Sequence, residues 1–129
     1  IVDSSARQIV GGYLFAYPNS EVLPDLATSN NMWERRIAMI ATFYYLTKGE
    51  PGPTLEIAEL LVNDTEDLMH KAVGWMLREM GKRVDPNVLR DFLQEHAATM
   101  PRTTLRYAIE HFNPQERKMW LAKRRNAGV

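Results

Sequence analysis

The chain has 129 residues, enough for one domain with a sizeable core and too few for two of typical size. Its 16 Lys and Arg balance 16 Asp and Glu, so any attraction to nucleic acid or to a membrane surface must come from a local patch. The absence of cysteine excludes disulfides, thiolate nucleophiles and cysteine-ligated zinc, and no run approaches the roughly 18 apolar residues of a membrane span.

Taken in chain order, the predicted elements are all helices, near residues 4–17, 21–28, 32–47, 54–62, 65–81, 86–98, 102–112 and 114–125. In the first, Gly11-Gly12 suggests a close helix approach, and without a preceding strand it makes no phosphate loop. Asn31 with Glu34 fits a capping box at the start of the third. The connection TKGEPGP, residues 47–53, is the clearest loop. Pro86, Pro101 and Pro114 each fall at a first helical turn, where a missing N–H costs nothing. The terminal KRRNAGV is expected to fray. No segment alternates as a strand would.

The helices repeat. Arg36, Lys71 and Arg106 are spaced 35 residues apart, and each is followed two positions later by Ala38, Val73 or Ala108. A helix pair at that period predicts an all-α, HEAT-like α-solenoid, a right-handed array of about four helix pairs forming a single domain over residues 1–129. Stacking would align the three cations in a basic row. The intervening helices carry Glu21, Asp25, Glu56, Glu59, Asp91 and Glu95, so zero net charge is compatible with one basic and one acidic surface.

In KAVGWMLRE, Met69, Val73, Met76 and Met80 share one helical face, while Lys71, Trp75 and Arg78 share the opposite one. The repeat places Ile40 before Trp75 and Glu110 after it, so the tryptophan is not a recurring scaffold requirement. Two readings stand. Trp75 fills a gap between repeats, or it meets a sugar or base while the flanking cations hold phosphates. Asp3, followed by Ser4 and Ser5, reads by itself as a helix N-cap, and Arg36 as a solvated cation near Glu34 and Glu56. Trp33, Phe43, Tyr44 and Tyr45 read as packing between repeats in preference to a stacking platform for bases. His70, His96 and His111 lack metal-ligand spacing, so neither a metal nor a cofactor is expected.

The segments IVDSSARQIVGGYL, NNMWERRIAMIATFYYL, DLMHKAVGWMLREMGKR and HAATMPRTTLRYAIEHF resemble successive stretches of the AlkD-like DNA alkylation repair enzymes. The resemblance runs from Asp3 to about Trp120, with WERR and HKAVGWMLRE its most specific phrases. It implies a HEAT-like repeat DNA glycosylase that excises cationic N3- and N7-alkylated purines from double-stranded DNA. The implied catalytic carboxylate falls on Asp3, a DNA-facing arginine on Arg36, and an aromatic against the lesion-bearing sugar on Trp75. Lys71, Arg78 and Arg106 are then expected at phosphates. A second aromatic of the family, four residues before the aspartate, would precede Ile1. The chain thus resembles the C-terminal half to two-thirds of such an enzyme, and it is expected to be a cytoplasmic monomer. The rival expectation is a non-catalytic helical scaffold that binds protein or undamaged DNA.

Overall fold

A computed structural model describes residues 22–127, with side chains described as far as Lys123. The helix expected at 4–17, Gly11-Gly12 and Asp3 lie outside the described residues. Among the described residues the regular structure is helical throughout. The helices are α1 (Val22–Ala27), α2 (Met32–Ala41), α3 (Phe43–Thr47) and α4 (Gly52–Leu61), then α5 (Asp67–Arg83), α6 (Pro86–His96), α7 (Arg102–Ala108) and α8 (Pro114–Ala127). The all-α class is therefore as expected, and the arrangement is consistent with a helical repeat.

Several boundaries differ from the periodicity, each for a local reason. The expected helix 32–47 divides at Thr42, whose Oγ1 donates to the Met39 carbonyl at 2.7 Å while its N–H also turns back to Met39. A threonine hydroxyl bonded to the preceding turn bends a helix. Only half of the capping box forms. Asn31 Oδ1 accepts from the N–H groups of Trp33 and Glu34. The Glu34 carboxylate accepts from the Ser29 hydroxyl, which in turn receives the Asn31 N–H. Helix α7 ends at Ala108 rather than near residue 112, because Arg117 Nη1 of α8 donates to the carbonyls of Glu110 and Phe112 and holds a turn there. Helix α8 runs to Ala127, two residues past the limit expected near 125.

Helix α5 is the hub. Its buried Met69, Val73, Met76 and Met80 recur at helical spacing and meet α2, α4, α6 and α7, whose own buried faces include Ile40, Ile57, Leu93 and Leu105. The closest crossing is with α7. A Cβ added at Gly74 would lie 2.6 Å from Tyr107 Cβ and 2.8 Å from the Thr104 carbonyl oxygen, so only glycine lets the two backbones approach. Thr104 Oγ1 fastens that crossing by donating to the His70 carbonyl at 3.0 Å. On the opposite flank, Arg35 Nε meets Asp64 Oδ2 at 2.8 Å and Arg35 Nη1 donates to the Ser29 carbonyl at 2.9 Å, which ties α2 to the loop before α5. The equally spaced helices α2, α5 and α7 consequently lie side by side, with α5 between its neighbours.

Candidate nucleic-acid interface

The side-by-side packing of α2, α5 and α7 gives each of the cations spaced 35 residues apart its own helix. Their local circumstances differ. Arg36 is partly buried, and its Nη1 donates to the Leu68 carbonyl in the first turn of α5 at 3.0 Å. Lys71 is exposed and lies 3.4 Å from Asp67 one turn earlier, a pair of the solvent-screened kind that holds a side chain weakly. Arg106 is exposed and forms no ion pair among the described residues. It lines a groove of about 430 Å³ with Ile109, Glu110, Arg117 and Leu121.

Trp75 stands one turn beyond Lys71. It is partly buried, packed against the edge of the core on one side and open on the other, and its indole N–H makes no hydrogen bond among the described residues. Arg78 Nη1 donates to Glu110 Oε1 at 2.7 Å, and Glu110 occupies the position one repeat after Trp75. Arg78 also lies 3.4 Å from Glu79, a carboxylate only 6% exposed that receives Arg83 Nε at 2.8 Å. Burial of Glu79 is tolerable because two guanidinium groups flank it.

The exposed acids Glu56 and Glu59 belong to α4, and Asp91 and Glu95 to α6, which are not the helices that carry the cations. Tertiary packing brings Glu59, Glu95 and His96 within 4.8 Å of one another, a grouping that the linear spacing of the histidines did not suggest. There His96 pairs with Glu59 across the two helices and stacks on Phe92 at 4.4 Å, so structural pairing accounts for it. His70 is likewise structural, its Nε2 bonded to the Asp64 carbonyl. Trp33, expected to pack between repeats, is 57% exposed, whereas Tyr45 is buried as expected. Exposed Lys82 lies on the same face of α5 as Trp75, outside the cations singled out from the sequence. Its signal was available, since Lys71, Trp75, Arg78 and Lys82 fall within about 60° of one another at about 100° per residue.

A solvent-facing stripe of cations around a half-buried indole is suited to a phosphate backbone with a sugar or base against the aromatic face. No helix among the described residues is long and apolar enough to cross a membrane. A model of the family described as DNA alkylation repair enzyme matches residues 1–112. No curated protein matches the chain.

Proposed function

This chain belongs to the DNA alkylation repair enzyme family, and from that premise we propose that it acts on double-stranded DNA as a glycosylase of cationic N3- or N7-alkylated purines. The observation that carries the reading is the stripe of Lys71, half-buried Trp75 and Arg78 on α5, flanked by Arg36 on α2 and Arg106 on α7. In this reading the four cations hold phosphates and Trp75 lies against the deoxyribose of the damaged nucleotide.

An alkylated purine that already carries a positive charge needs no strong general acid to leave. Its glycosidic electron pair departs with the base, which becomes neutral, and positive charge develops on the sugar. The carboxylate of Asp3 opposes that charge and orients water toward C1′, and the proton lost by the water passes to the carboxylate or to solvent. The indole of Trp75 adds a cation–π contribution of about 0.5–2 kcal/mol as the sugar becomes cationic. Asp3 lies outside the described residues, so its role rests on the family resemblance and not on geometry.

A second reading, a scaffold that binds without cleaving, draws support from a specific observation. Arg36, Lys71 and Arg78 each have a partner within the chain, in Leu68, Asp67 and Glu110. The two readings part at Asp3. Single-turnover release of 7-methylguanine from a labelled duplex is expected to fall by at least about 100-fold in Asp3→Asn, while duplex affinity is kept. Equal release by both proteins would remove Asp3 from the chemistry, and no release by either would favour the scaffold.

A further inference from the structure

The stripe on α5 does not stop at Arg78. Lys82 continues it one turn further, roughly 6 Å along the axis, and is exposed with no ion pair among the described residues. At that end of the helix a cleft of about 360 Å³ opens between α5, the start of α6 and the turn that joins α7 to α8. Lys82 lines it on one side and His111, from the turn, on another. The imidazole is tilted against the Phe112 ring with centroids 5.5 Å apart, and its nitrogens make no hydrogen bond among the described residues.

The cleft's acidic lining group is already occupied. Arg90 engages Glu116 through Nε at 2.8 Å and Nη2 at 2.9 Å, and Trp120 Nε1 donates to the same carboxylate at 3.1 Å. Glu116 therefore offers little to Lys82 or His111. Of the remaining acids near the imidazole, Glu79 is held by Arg83 and Glu110 by Arg78. Beside Arg90, which Glu116 and Asn87 engage, and Asn113, whose Oδ1 accepts from the Glu116 N–H, the opening is lined by an ammonium group and an imidazole, both with unused donors.

We infer that Lys82 and His111 form a phosphate-binding subsite at the C-terminal end of α5, which extends the nucleic-acid face of Lys71, Trp75 and Arg78 by one contact. The inference rests on the proposed reading of that face, with a duplex phosphodiester as the occupant. Free phosphate shares the same chemistry and is a separate arm of the test.

The subsite couples binding to protons. Partial shielding from solvent, then the positive charges of Arg78 and Lys82, lower the His111 pKa, against weaker pulls from Glu79 and Glu110. Without ligand the imidazole is therefore neutral at neutral pH and can donate from one nitrogen only. A phosphate beside it favours the imidazolium, raises its pKa and draws in a proton. Affinity must then rise as pH falls from above the bound-state pKa to the free-state pKa, and level off outside that window.

Duplex affinity measured by fluorescence anisotropy between about pH 8 and pH 6 is expected to tighten several-fold in the unmodified protein and to stay nearly flat in His111→Gln. At the higher pH, Lys82→Gln should lower the magnitude of the log affinity against log salt slope by about 0.9, the equivalent of one phosphate. His111→Gln should leave that slope unchanged. The imidazole proton resonances, titrated with and without inorganic phosphate and with and without duplex, report the pKa directly. A rise with duplex alone assigns the site to a phosphodiester, and a rise with phosphate as well shows that the anion suffices. If His111→Gln keeps the full pH dependence, or neither ligand moves the resonance, the subsite is wrong even though duplex binding stands. If the protein binds no duplex yet phosphate raises the His111 pKa, the subsite holds and the DNA reading fails.

Discussion

Trp75 divides its surface between the edge of the core and solvent, whereas Trp120 is 1% exposed and wholly structural. That contrast supplies an internal standard. Trp120→Ala should cost about 3–5 kcal/mol of stability, as expected for a buried tryptophan. Trp75→Ala should cost distinctly less, by thermal or denaturant unfolding, while slowing 7-methylguanine release. Trp75→Phe, which keeps a ring with a weaker quadrupole, should fall between the two in activity and stay close to the unmodified protein in stability. If Trp75→Ala were as destabilising as Trp120→Ala and Trp75→Phe fully active, the indole would be packing and nothing more. Helical periodicity alone set Trp75 apart from the methionine face. Its partial burial was not legible, because that depends on how neighbouring helices pack against the core edge beside it.

Among the helices, α8 is fastened by a small polar network. Glu116 receives Arg90 of α6 and Trp120 of its own helix, and the Arg90 hydrogen bonds, aided by Trp120, hold its carboxyl below the usual glutamate range. A carboxylate with a depressed native pKa stabilises the fold above its unfolded-state pKa. That contribution is lost as pH falls through the native value. Glu116→Gln should therefore lower the melting temperature by a few degrees near neutrality. The difference from the unmodified protein should shrink as pH falls through the depressed Glu116 value and vanish below it. A difference that persisted at the acid end would place the effect in packing and not in the charge. None of this network was visible from spacing, since Arg90 and Glu116 are 26 residues apart and meet only through the turn after α7.

For the molecule as a whole, the relevant property is the distribution of charge, because the net charge is zero. Arg36 is tied to the Leu68 carbonyl, so Lys71 and Arg106 are the better probes of a long-range electrostatic face. Replacing both with alanine should reduce the slope of log duplex affinity against log salt by about 1.8, two phosphates at about 0.9 each. The loss should be similar for any sequence, since phosphate contacts carry no base information. An unchanged slope would mean that the row spaced at 35 residues does not face DNA.

The sequence by itself determined the helical class, the approximate helix limits, the period that gives Arg36, Lys71 and Arg106 a helix each, and the opposition of Trp75 to the apolar face of α5. All of these follow from interactions within a few residues or from simple repetition, which a linear pattern preserves. Only the tertiary structure decided which cations are engaged, namely Arg36 by a backbone carbonyl of the next repeat and Arg78 by Glu110, and that Lys82 and His111 share one cleft. Those pairings cross helices, and they depend on crossing distances set by contacts such as Gly74 against Thr104, where the absence of one methyl group admits a neighbouring backbone. Local pattern specifies which face a residue occupies, but the group it meets there is fixed by how closely the next helix can pack.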